Sequence, residues 1–239
     1  MVDGADGSLQ EVVPIASGTV TVRWRPSRQA RRISMRIDAA SGHVIITLPR
    51  GARKADGLAL LRAHSAWVAA GLSRLPPVGE LRHGGTVLLD GAALEIHHAP
   101  EARRGVWLEG GRLNVSGAES FIARRTGAYL RAQAQVLLPA RLAIQSEQAG
   151  LRPRLVRLRD TKSRWGSCSS DGTIMLCWRL VMAPKEVQHY IIAHELAHLR
   201  HMNHGPDFWL LVDKLTPHRR QAEKWLRANG ASLHRMVPA

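Results

Sequence analysis

The chain has 239 residues, 45% of them hydrophobic, with two cysteines and a formal net charge of +15. That length and apolar content suffice for one large globular core or two small ones, two cysteines exclude a disulfide framework, and no apolar run reaches the roughly eighteen residues of a membrane span. Residues 1–10 carry Asp3, Asp6 and two glycines and do not read as a signal peptide, so the expected setting is cytoplasmic.

Residues 1–11 are expected to be disordered. Stretches 20–22, 33–37 and 44–48 read as strands by their β-branched alternation, with Ser41-Gly42 as a turn and Pro49 as a stop. From 54 to 74, Leu58, Leu61, Trp67, Val68 and Leu72 recur near a helical period that ends before Pro76-Pro77. Stretches 86–89 and 94–97, then 106–108 and 113–115 about Gly110-Gly111, read as hairpins. Residues 12–117 are therefore expected to be a small, mostly β module with one helix, and no internal repeat is visible.

The pattern turns helical from Glu119 to about Ala149. Phe121, Ile122, Tyr129, Leu130, Val136, Leu137, Leu138, Leu142 and Ile144 are expected to face a core, with Pro139 as a kink and Gly150 as the end. Residues 155–158, 164–165 and 173–178 read as strands about the Asp171-Gly172 turn. A helix starting near Pro184 follows, and 208–215 and 219–228 read as closing helices, with Trp209 and Trp225 as packing residues. The expected class is α+β, with residues 118–239 forming the second domain.

Within that domain His194-Glu195-Leu196-Ala197-His198 puts two imidazoles four residues apart, on one face of a helix, with a carboxylate beside them. That is the spacing that holds one zinc ion and keeps a coordination position open for water. Turn chemistry and spacing favour His204, between Asn203 and Gly205, as the third ligand, and His201 competes for the role. The run Val187, Tyr190, Ile191, Ala193, Leu196 and Ala197 buries the helix. Buried histidines and a buried glutamate need a metal or dedicated partners.

Ser163-Arg164-Trp165-Gly166-Ser167-Cys168-Ser169, Gly172, Trp178-Arg179-Leu180-Val181, Ala183-Pro184, His194 to Leu199, Asn203-His204 and Phe208-Trp209 form an ordered set. Together they resemble the YgjP-type metallopeptidases, which are related to the SprT-like zincins. The resemblance implies a zincin-like catalytic domain made of a small sheet and a metal-binding helix. It implies one zinc per chain on His194, His198 and His204, with Glu195 as the catalytic acid and base. Cys177 departs from the family pattern, standing where an Asn is expected.

The function expected is zinc-dependent peptide or protein hydrolysis, with Arg164, Tyr190 and His201 as candidate contacts to the charge that develops on the substrate. Two alternatives remain open. A nucleotide pyrophosphohydrolase of the UTP type would use Arg152, Arg154, Arg157, Arg159 and Arg164 on phosphates. A non-catalytic zinc module on DNA would use the basic surface that also includes Arg23 to Arg36. For the latter cluster an Arg-rich composition without any ligand is the favoured reading. Cys168 and Cys177 are expected to be a reduced, half-buried pair and not metal ligands.

Overall fold

Valines and isoleucines at alternate positions build the first sheet. The computed structural model describes residues 2–3, 9–79, 81–161 and 164–236, and its contacts divide the chain into two units, Met1–Pro77 and Val78–Ala239. In the first unit β1 (Val2–Asp3), β2 (Leu9–Ile15), β3 (Gly18–Ser27), β4 (Ser34–Asp38) and β5 (His43–Pro49) form one sheet in the order β1-β2-β3-β5-β4. The central pair β3 and β5 is parallel and its outer neighbours are antiparallel. Val20, Val22 and Trp24 of β3 and Val44 and Ile46 of β5 pack with Leu61 and Val68 of the helices α1 (Lys54–Ala63) and α2 (Ser65–Ser73).

Two expectations change here. Residues 2–3 and 9–11, expected to be disordered, belong to β1 and to β2, whose Val13 is buried; the remaining residues of that expectation, 1 and 4–8, lie outside the described ones. Pro14 sits where β1 no longer covers β2, an edge position at which a missing N–H costs no ladder bond. The single helix expected over 54–74 is two, broken at His64, whose φ of −113° and ψ of 22° leave the helical region.

The second unit opens with four strands, β6 (Thr86–Leu89), β7 (Ala92–Ala99), β8 (Val106–Glu109) and β9 (Arg112–Ser116), in the order β6-β7-β9-β8. The division expected near residue 117 therefore falls after Pro77 instead. Val87, Leu94, Ile96, Leu113 and Val115 of these strands share one core with α3 (Ile122–Ala149) and everything beyond it, and hydrophobic continuity outweighs the change in sequence pattern. Helix α3 runs through Pro139 and ends at Gly150. Ile122, Leu130, Leu138 and Leu142 face the core as expected, but Phe121, Val136 and Ile144 are exposed. The inward stripe is narrower than the apolar content suggests.

A three-stranded sheet follows, β10 (Leu155–Arg159), β11 (Gly166–Cys168) and β12 (Thr173–Cys177), with β12 central, parallel to β10 and antiparallel to β11. Arg164 and Trp165 precede β11 instead of forming a strand. The chain then makes a buried 3-10 turn over Trp178–Met182 and enters α4 (Lys185–Ala197), α5 (Pro206–Leu215) and α6 (Arg219–Met236). This is an α+β architecture. Among the described residues no helix is long and apolar enough to cross a membrane.

Candidate metal centre

Helix α4 is buried on most of its surface, through Val187, Tyr190, Ile191, Ile192, Ala193, Leu196 and Ala197. Its first turns are held by polar contacts. Gln188 Nε2 donates to Asp90 Oδ1 (2.9 Å) and to the Ala183 carbonyl (2.7 Å), and Arg141 grips both Asp90 oxygens at 2.6 and 2.7 Å and also bonds Gln188. Asp90 and Gly91, the β6–β7 turn, donate their backbone N–H groups to Val181 and Met182 at 2.9 and 3.1 Å. A Cβ on Gly91 would lie 2.9 Å from the Pro184 Cα. The turn therefore abuts the start of the helix. Burial alone would raise the Asp90 pKa, but Arg141 and Gln188 hold it below the ordinary value.

The far end of α4 presents the chemistry. His194, His198 and His204 each offer a ring nitrogen, and these atoms lie within 4.8 Å of one another. His194 Nε2 and His204 Nε2 face each other at 3.3 Å. The helix ends at Ala197, with His198 still in helical conformation at the cap. His198 Nδ1 donates to the His201 carbonyl at 3.1 Å, which leaves the lone pair of the other nitrogen for a ligand. His201 thus contributes its backbone oxygen, and its side chain is not in the histidine cluster. His204 is exposed on the non-helical stretch before Pro206.

Burial, with repulsion from His198 and His204, pushes the His194 pKa down to about 4, so its imidazole is neutral at neutral pH, the form that binds metals. Glu195 is only 4% exposed, and its Oε2 has no hydrogen-bond partner among the described residues. Burial pushes its pKa up to about 8 against the pull of Arg164. A buried carboxyl with an orphaned oxygen beside three converging imidazoles fits a cation, which would restore its charge.

Gly166 on β11 makes that burial possible. A Cβ there would lie 2.5 Å from Glu195 Oε1 and 2.6 Å from its Cγ, so only glycine lets the edge strand close over the carboxylate. Gly166 stood within the family-like motif, but nothing in its spacing tied it to Glu195. Cys168, two residues along the same strand, feels the Glu195 charge and is pushed up to about 11, chiefly by burial, so it remains a thiol. Both cysteines are free and neither joins the imidazole cluster.

Of the other residues expected at the site, Arg164 is exposed and acts electrostatically on Glu195. The Tyr190 hydroxyl is committed to Glu223 Oε1 at 3.0 Å, and burial followed by that carboxylate raises its pKa. Its ring meets His194 edge-on at 6.0 Å. Arg154, expected on phosphates, is paired with Asp171 at the β11–β12 turn. Glu223 and Arg219 were not anticipated, since charged residues on a closing helix look like a solvated face.

An α+β core that presents three imidazoles and one desolvated carboxylate at a helix end has the make-up of a metal-dependent hydrolase. The model of the YgjP-like metallopeptidase domain matches residues 31–229, and the chain belongs to that family, which makes it a metallopeptidase at the family level. Among solved structures, the metallopeptidase zymogen abylysin of Pyrococcus abyssi is 30% identical over 42% of this chain and 100% of its own, with a TM-score of 0.36. A search of curated proteins gives no match.

Proposed function

We propose that the protein is a zinc-dependent peptidase holding one zinc ion per chain on His194, His198 and His204, with Glu195 as general base. The observation that carries this reading is the orphaned, buried Glu195 carboxyl beside three imidazoles whose ring nitrogens converge. An all-imidazole set with one position left open suits zinc. When bound, zinc supplies a lowered pKa for a coordinated water and polarises the scissile carbonyl.

The chain's own groups do the rest. Glu195 takes a proton from the attacking water at the carboxylate and later returns it to the leaving amine. The exposed guanidinium of Arg164, which acts electrostatically on Glu195, would stabilise charge on the substrate oxygen, whereas Tyr190 has its proton engaged by Glu223. Strand β11 is an edge of its sheet, and an extended peptide would pair along it as an added strand. The substrate class is peptide or protein, and a cytoplasmic setting is part of the proposal, supported by the two free cysteines.

Metal analysis of His194→Ala, His198→Ala, His204→Ala and His201→Ala tests the ligand set. The first three lose zinc, and the fourth keeps it because its carbonyl contact survives. Glu195→Gln keeps zinc and fold and loses about 10²–10⁴-fold in hydrolysis of casein or unstructured peptides. Near wild-type turnover in that variant, or turnover of nucleoside triphosphates alone by the wild type, would replace the peptidase reading.

A further inference from the structure

His204 has the least support of the three imidazoles. It is exposed, lies outside any helix, and its only hydrogen-bond contact among the described residues is with His194. Its neighbours are aromatic. The Phe208 ring lies edge-on at 4.7 Å, and the Trp209 indole is tilted by 31° at 5.6 Å. Phe208 is fully buried and needs no further anchor, but Trp209 is only partly covered by the core.

What holds Trp209 comes from another helix. The Arg219 guanidinium, at the start of α6, stands over the indole with its central carbon 3.7 Å from the ring centroid. That cation is fixed on both sides, by Asp213 of α5 at 3.3 Å and by Glu223 of α6 at 3.2 Å. Glu223 in turn accepts the Tyr190 hydroxyl from α4, and the Tyr190 ring touches His194. A closed path therefore runs from His204 through Trp209, Arg219, Glu223 and Tyr190 to His194. It links the one ligand outside the helix to the first ligand within it.

We propose that Arg219 is a positioning residue for the metal centre, clamping Trp209 so that His204 is set in register with His194 and His198. The inference rests on the reading that these three imidazoles hold the metal. Outer groups that orient ligands typically alter metal affinity by about 10–100-fold, and a planar guanidinium stacked on an indole is not replaced by an ammonium.

The test is zinc affinity of the full chain, measured by competition with a chromophoric chelator, together with the visible spectrum of the cobalt(II)-substituted protein. Arg219→Ala weakens zinc binding about 10–100-fold and changes the cobalt spectrum, while the far-ultraviolet circular dichroism of the metal-free protein stays the same. Arg219→Lys, which keeps the charge facing Asp213 and Glu223, recovers little of the affinity. Trp209→Ala reproduces the loss, and adding Arg219→Ala to it costs no more. Zinc affinity within twofold of wild type and an unchanged cobalt spectrum in a folded Arg219→Ala would overturn the proposal, as would additive losses in the double variant. If Arg219→Ala does not fold, Arg219→Lys and Trp209→Phe carry the same decision, and wild-type affinity in both overturns it. A wild-type protein that binds no zinc would instead overturn the ligand assignment itself.

Discussion

The two units draw the same strand diagram twice and use it differently. In the first, β2-β3 and β4-β5 are antiparallel pairs joined through parallel β3 and β5; in the second, β6-β7 and β8-β9 are joined through parallel β7 and β9. The loop between the pairs spans residues 28–33 in one and 100–105 in the other, and Ala30-Arg31-Arg32 matches Ala102-Arg103-Arg104 in position. A helix follows each sheet. The contrast lies in the first turn. Ala16 and Ser17 are exposed, whereas Asp90 and Gly91 are bonded to the chain that leads into α4. A repeated scaffold thus becomes a support for chemistry where a few polar residues tie it to the functional helix.

Breaking that tie should have the largest effect. Gly91 has φ of 80° and abuts Pro184, so Gly91→Ala combines a left-handed penalty with overpacking and costs about 2–4 kcal/mol. Ser17→Ala, at the matching turn, stays within about 0.5 kcal/mol. Urea denaturation of both variants checks the pair, and equal costs would show that the second turn is no more engaged than the first.

Asp90→Asn ranks next. It keeps a residue tolerant of the turn's φ of 52° and removes the charge paired with Arg141, for an expected loss of about 1–3 kcal/mol at pH 7. Because the folded pKa lies below the ordinary 3.8, the wild-type advantage is fully present above that value and is lost as pH falls through the lower, folded one. Stability measured from pH 7 to pH 2 should show the gap between the two proteins holding to about pH 4 and then closing. A gap that narrows already between pH 7 and pH 5 would contradict the pairing.

The smallest effect belongs to the first unit. Lys54 bonds Glu11 at 2.5 Å and stands 5.2 Å over the Trp24 ring, but the two ionic side chains are 49% and 37% exposed. Lys54→Ala should cost no more than about 1 kcal/mol. Thermal unfolding in low and high salt measures it, and a loss exceeding that of Asp90→Asn would reverse the contrast between the units.

Much of this was legible in sequence. The strand segments of the first two sheets apart from β1 and β2, the end of α3 at Gly150, the start of α4 near Pro184, and the His194, Glu195 and His198 face follow from local period and spacing, because alternation and a four-residue repeat are properties of the chain itself. The ordered motifs from Ser163 to Trp209 placed the family. What local pattern could not carry was pairing. The parallel neighbours β3–β5 and β7–β9, and hence the repeated diagram, depend on contacts across intervening strands, and Leu9–Ile15 became a strand only because β3 was there to receive it. Continuity of the core, not the change of pattern near 117, set the boundary at Pro77.

At the candidate site the sequence determined which side chains carry the chemistry, since residue type and helical spacing fix what α4 can present. Tertiary structure decided their state. Glu195 becomes a desolvated acid only because β11 closes over it at Gly166, His198 is oriented by the His201 carbonyl, and Arg219 meets Trp209 only because α6 folds back beside α5. Burial, orientation and charge pairing arise between segments that the linear chain leaves apart, so they exist only in the folded protein.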